Sequence, residues 1–163
     1  MEIQFKIVVL LLGILLTGLT AGLCFTWSNA VTPGLGRLDD QTFLKAFQSM
    51  NRVIINGRFM MVFFGPVLLL FLNAYLFKSN PVSFWLFLAA AFLFFFGIGI
   101  VTIFGNVPLN ELLEQSSLET SAPMDLQALR QKFEQPWNQW HLVRTATSFL
   151  AFVLLLIGFI YIK

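Results

Sequence analysis

One cysteine stands in the chain, Cys24, so no internal disulfide can form and no cysteine cluster exists for zinc or an iron–sulfur centre. The only histidine, His141, supplies neither a metal shell nor a second axial partner for a haem. No flavin, nicotinamide or multiligand metal motif is present, so no metal site and no cofactor is expected, although a missing motif leaves haem open. Charge is scarce as well. Asp, Glu, Lys and Arg make up 11% of the residues and the formal net charge is +2. That is too little to neutralise a row of phosphates, and there is no basic aromatic module for single strands, so nucleic acid is not a partner. Matched charges deep in both halves of the chain are missing too, which argues against ion-coupled transport.

What fills the chain instead is hydrocarbon: 58% of the residues are hydrophobic and twenty are phenylalanine. Four apolar stretches approach or exceed the roughly 20 residues that cross about 30 Å of bilayer as helix. They run from Phe5 to Phe25, Val53 to Phe77, Val82 to Phe104, and from Pro136 through Ile162. Lipid cannot hydrogen-bond an open backbone and four strands cannot close a barrel, so these are helices. The expected fold is an all-α integral membrane four-helix bundle in one domain over residues 1–163, surrounded by membrane lipids.

Three connections join the spans. Ser28 to Arg37, with Pro33, Gly34 and Gly36, reads as a turn-rich link. Asp39 or Asp40 then caps an amphipathic helix to about Arg52, whose apolar stripe is Phe43, Leu44, Phe47 and Met50; this helix rests on the bilayer or caps the bundle. The second link, Lys78-Ser79-Asn80-Pro81, is so short that spans two and three must be antiparallel neighbours, with Ser79 or Asn80 as cap. At the third, the heptad Gly105 to Glu111 is expected to end the third span: Gly105 for backbone freedom, Asn106 as cap, Pro108 in the first turn of a new helix. Amphipathic segments follow at Leu109 to Leu118 and Asp125 to Gln135, with Pro136 ending or restarting helix and Trp27, Trp137 and Trp140 as interfacial anchors. Short amphipathic surface helices thus occupy the first and third connections, on one side of the membrane. Arg37, Lys45, Arg52, Arg130, Lys132 and Arg144 lie toward that side, against Lys6, Lys78 and Lys163 opposite, which puts the long connections in the cytosol and the termini outside.

Polar residues against these runs are the candidate chemistry. Asn51, Arg52, Asn56 and Arg58 crowd the entrance of the second span, with Arg52, Asn56 and Phe59 on about one face. His141 and Arg144 are one helical turn apart and could meet a single ligand. Glu111 and Glu114 have a spacing compatible with acid–base work, but early-turn carboxylates ordinarily face solvent. Gly18 with Gly22 mark a place where another helix could approach closely, and Gly97 with Gly99 one where a helix or a flat ligand could, so a homo-oligomer is an open expectation.

Three stretches carry a family resemblance. Thr32-Pro33-Gly34-Leu35-Gly36-Arg37-Leu38 with Phe43 and Ala46 to Arg52, then Asn106-Val107-Pro108-Leu109-Asn110, then Trp137, Trp140, Val143 and Arg144, resemble in order the blocks of the anthrone oxygenase-like four-span membrane proteins. The resemblance implies a membrane oxygenase that oxidises an anthrone-like or other activated aromatic molecule with dioxygen. By it, Arg37, Asn51, Arg52, Asn56, Asn106, Asn110 and Arg144 map to recurrent polar positions. The pair His141-Leu142 departs from an Asn-His pairing in the last block, and a shift of one position turns a side chain about 100° around a helix. The catalytic candidates are therefore His141 as proton acceptor, with Asn106 and Arg144 stabilising charge. Arg37, Asn51, Arg52, Asn56, Arg58 and Asn110 are the substrate-binding candidates. The competing expectation is a non-enzymatic membrane protein that binds a lipid or a flat quinone-like molecule, or stabilises an assembly.

Overall fold

A computed structural model describes residues 2–162; Lys163, counted above among the charges opposite the long connections, lies outside them. Five helices and no strand occur among the described residues. They are α1 (Glu2–Leu35), α2 (Asp40–Ile54), α3 (Gly57–Leu76), α4 (Pro81–Glu114) and α5 (Pro123–Ile160). All but α2 are long and apolar enough to cross a bilayer, and the chain is a multi-pass integral membrane protein.

The spans pack as a ring, α1 on α3, α3 on α4, α4 on α5 and α5 back on α1. Ile3, Lys6, the Ser79–Asn80 turn and Tyr161 line one shallow groove, and the Asn80 amide donates to the Tyr161 carbonyl at 2.7 Å. The short link and the outer ends of α1 and α5 therefore share one end of the bundle, and both long connections share the other. Local signals set the caps as expected. Asp39 accepts from the Thr42 N–H at 3.0 Å to start α2, and Asn80 accepts from the Ser83 N–H at 3.1 Å to start α4.

Other boundaries differ, and prolines are the reason. Neither Pro33 nor Pro108 ends a helix. Each is preceded by a widened π turn, Trp27–Val31 in α1 and Thr102–Asn106 in α4, which closes two residues before the proline. In both turns the first carbonyl, of Trp27 or Thr102, accepts from the N–H five residues on. This local change of pitch lets the helix run on past a residue that lacks a donor. Asn106 is consequently helical, with no cap bond, and Gly105 has no positive φ. The glycine serves close approach instead: a Cβ there would come within 2.8 Å of the Trp140 indole. Pro136 lies inside α5 without breaking it, so Asp125 to Gln135 is the start of α5 and no separate surface helix. In α3, Pro66 cannot donate to Val62, and the Thr20 hydroxyl on α1 donates to the Val62 carbonyl at 2.7 Å in its place. Gly97 is also a helix contact, since a Cβ there would meet the Thr147 side chain of α5.

Two cores result. Leu10, Phe63, Leu70, Phe87, Phe94, Ile98 and Leu155 fill the ring of spans. A second cluster, Phe43, Leu44, Phe47, Leu113, Leu126, Phe133 and Trp137, joins α2 to the projecting ends of α4 and α5. At 1.5 Å per residue, the 38 residues of α5 extend roughly 57 Å, well beyond the bilayer core of about 30 Å. That surplus carries the second core, so α2 caps the bundle.

Candidate functional site

The seam between the two cores holds a cavity of about 280 Å³, near the lower end of small-molecule sites, roughly 300 Å³. All five helices line it. Cys24 and Trp27 come from α1, Met50 and Asn51 from α2, Phe59, Met60 and Phe63 from α3, Thr102 and Asn110 from α4, and Trp137, His141 and Arg144 from α5. Trp27 and Thr102, the first residues of the π turns ahead of Pro33 and Pro108, both line it.

On α5 the residues Phe133, Trp137, His141, Arg144, Ser148, Ala151 and Leu155 recur at steps of three and four and are all buried. His141 and Arg144 thus ride on the packing stripe of the helix. Arg144, 7% exposed as a residue, donates from Nη2 to His141 Nδ1 at 2.8 Å. Arginine has no acceptor, so Nδ1 must be the unprotonated nitrogen. The proton then sits on Nε2, which donates to the Cys24 carbonyl of α1 at 3.1 Å. His141 is fixed as one neutral tautomer across 117 residues of sequence.

Arg144 is less well provided. Its Nη1 reaches only the Thr102 hydroxyl at a long 3.4 Å, and Nε is buried without a partner. The guanidinium carbon stands 5.2 Å from the Trp137 ring centre and 5.8 Å from that of Phe63. No carboxylate joins it. All five salt bridges among the described residues lie elsewhere, and the cavity lining contains no Asp or Glu. By contrast, the open groove on the extramembrane face is lined by Asp40, Arg130 and Glu134, whose charges satisfy one another.

Asn106 and Asn110 meet at a residue missing from the candidates above. The Asn106 amide donates to the Trp137 carbonyl at 3.2 Å, and Asn110 Oδ1 accepts from the Trp137 indole N–H at 2.8 Å. The two asparagines, one turn apart on α4, hold one tryptophan by its backbone and its ring. Trp137 in turn stacks on His141, 4.9 Å between ring centres and 17° between planes. It is 5% exposed and therefore a cavity wall, whereas Trp140, on the neighbouring face, looks outward as an anchor should. The signal for Trp137 was its place on the 3–4 stripe with Phe133 and His141.

The remaining candidates scatter. Asn51 lines the cavity, with its buried Nδ2 unpartnered. Arg52 is exposed and pairs with Glu114 at 2.8 Å, which accounts for that carboxylate. Asn56 caps α3 by accepting from the Phe59 N–H at 3.0 Å, and the exposed Arg58 lies beside it over a shallow surface depression. Arg37 is exposed in the turn after α1. Those four lie outside the cavity wall, Asn106 stands behind it, and Asn51, Asn110, His141 and Arg144 share it. Among the described residues, no three His, Cys, Asp or Glu side chains are grouped as metal ligands.

A family model described as anthrone oxygenase matches residues 58–154, more than half of the chain. The chain belongs to the anthrone oxygenase family. The matched stretch includes the Asn106–Asn110 block and the Trp137–Arg144 block that meet at the cavity, and it begins after the Thr32–Leu38 block. Comparisons with curated proteins and with solved structures give no match.

Proposed function

We propose that this family member is a membrane oxygenase that oxidises a flat, activated aromatic molecule of the anthrone type with dioxygen at the seam cavity. The observation that carries the reading is Arg144: a buried cation without a carboxylate, beside an oriented imidazole, among aromatic walls. In an anthrone the carbonyl lies across the ring from an acidic methylene. Loss of one methylene proton moves negative charge to that oxygen, where a preorganised guanidinium stabilises it most. The electron-rich carbon then forms a bond to dioxygen, giving a hydroperoxide. Loss of water leaves a second carbonyl, so CH2 and O2 become C=O and H2O.

In this scheme His141 is the proton acceptor. Its Nδ1 lone pair, engaged by Arg144, becomes free as the guanidinium turns to the developing oxyanion, which couples proton removal to the presence of substrate. Trp27, Trp137, Phe59 and Phe63 bind the rings. Asn106 and Asn110 act as positioning residues through Trp137. Entry is from the bilayer edge, where Ile55 and Met60 of the lining are 75% and 47% exposed. We place the long connections in the cytosol; labelling of single cysteines at positions 115 and 80 in oriented vesicles reads this directly.

The deciding experiment is dioxygen uptake by the purified protein in a mild membrane mimic with a panel of anthrones. Acceleration over buffer is expected, with His141→Gln impaired and partly rescued at higher pH, where the substrate ionises by itself. A buffer rate across the panel from correctly folded protein rejects the oxygenase. The mostly apolar lining and the exposed edge would then favour the second reading, a binding protein for a lipid or quinone-like molecule.

A further inference from the structure

We infer that the seam cavity takes its ligand as a monoanion: a flat aromatic molecule carrying one oxygen group already ionised before any chemistry, a phenolate or carboxylate. The inference rests on the cavity assigned above as the reaction site, and adds a ground-state selection for charge that oxidation of a neutral ketone does not require. Three observations converge on it. The cavity wall holds one formal charge, that of Arg144, and none of the eight Asp and Glu residues of the chain lies along it. An uncompensated charge in an apolar interior is costly, and a single ligand anion is the group that would compensate it. Second, the fully buried unsatisfied atoms of the lining residues, Arg144 Nε and Asn51 Nδ2, are both donors, the buried unsatisfied acceptor Asn106 Oδ1 standing behind the wall, so the ligand atoms that meet them are acceptors.

Third, the imidazole adds no acceptor. Its Nε2 proton is committed to the Cys24 carbonyl and its Nδ1 lone pair to Arg144, so a neutral hydroxyl ligand finds no unengaged lone pair on His141. A phosphate-bearing headgroup would need more donors than one guanidinium fork and the two amides of Asn51 and Asn110 supply. The aromatic side chains of Trp27, Trp137, Phe59 and Phe63 in the lining favour a ring system over an acyl chain.

Two non-reacting probes of the same shape test this, anthracene-2-carboxylate and anthracene-2-carboxamide, with binding read as energy transfer from the wall tryptophans in a zwitterionic detergent. The carboxylate should bind at least tenfold more tightly. Arg144→Met should bring its affinity down to that of the amide, and Asn51→Leu should reduce the preference without abolishing it. Lys132→Met, an equal loss of net charge on the same helix away from the cavity, should leave the preference intact. If Arg144→Met fails to fold, Arg144→Lys keeps a charge without the planar fork and should give an intermediate preference. Equal affinity for the two probes in the unmodified protein, or a preference that survives Arg144→Met, overturns the inference. Displacement of the anthracene carboxylate by laurate at equal concentration overturns its aromatic half. Neither probe has an oxidisable methylene, so the two readings separate. A charge preference without dioxygen uptake on any anthrone removes the oxygenase and leaves the anion site, and uptake without a preference does the reverse.

Discussion

Arg130 and Arg144 stand fourteen residues apart on α5, about four turns and so on nearly the same face, yet their surroundings are opposite. Arg130 lies in the extramembrane cap over the Phe43 ring. It donates to Asp40 at 3.0 Å, to Glu134 at 2.7 Å, and to the carbonyls of Leu38 and Gly36 at 2.8 and 2.9 Å. Arg144, at the membrane edge, has a histidine, a distant hydroxyl and two aromatic faces. A fully partnered guanidinium ties segments together; a partly partnered one leaves donor capacity unused inside the cavity. The first arginine joins the end of α1 and the start of α2 to α5, and the second lines the cavity with its Nε unpartnered.

Exchanging each arginine for methionine, which keeps most of the length, breaks the comparison most directly. At Arg144 the loss should fall on function: turnover of an anthrone-type substrate down by about 10²–10³-fold, as for removal of a donor to a developing oxyanion. The folded state should remain within about 1 kcal/mol of the unmodified protein, because removing a buried unpaired charge offsets the lost bonds to His141 and Thr102. At Arg130 the loss should fall on stability, about 2–4 kcal/mol, since two carbonyls and two carboxylates lose their donor at once. Unfolding in detergent followed by circular dichroism, run beside dioxygen uptake, tests both halves. Similar stability losses at the two positions would erase the distinction.

A smaller effect is expected at the contact that seats the two regions on each other. Gly105→Ala places a methyl against the near edge of the Trp140 indole and should cost about 1–2 kcal/mol through overpacking. Since α4 at this point carries Asn106 and Asn110, the carboxylate affinity of the cavity should weaken with it. Unchanged binding in a stable Gly105→Ala protein would show that Trp137 is held independently of the α4–α5 spacing.

Acid titration gives the mildest test. The Thr42 side chain and backbone N–H hold the Asp39 carboxyl below the usual carboxylate range. A depressed folded-state value contributes stability above the unfolded value, about 4, and loses it as pH falls through the lower folded value. The cap around α2 should therefore loosen slightly below about pH 4, an effect that Asp39→Asn, which can cap but does not titrate, should remove. The cavity contains no carboxylate, so the affinity for the uncharged carboxamide probe should not follow that acid transition.

Much of the architecture was legible in the residues because it depends on local chemistry. The spans follow from apolar length, the antiparallel pair from the Lys78–Pro81 link, and the starts of α2 and α4 from Asp39 and Asn80 bonding N–H groups three residues on. The prolines misled, since their local tendency is to end helices, and the π turns ahead of Pro33 and Pro108 removed that need. Of the polar candidates, His141, Arg144, Asn51 and Asn110 come to one wall, while Arg52 and Asn56 are taken up by Glu114 and by the start of α3. Helical spacing shows that two side chains share a face. It does not show what stands opposite.

Hydropathy by itself determined that this chain lives in a bilayer as four antiparallel spans, because the free energy of burying apolar surface and satisfying the backbone depends on composition and length alone. Only the tertiary structure decided that Trp137 turns inward under two asparagines of another helix, that His141 is held as one tautomer by a carbonyl 117 residues away, and that Arg144 has no acid to answer it. Those outcomes are set by which groups distant in sequence meet across the seam of two cores, and a hydrogen bond or a missing counter-charge exists only once both sides of that seam are in place.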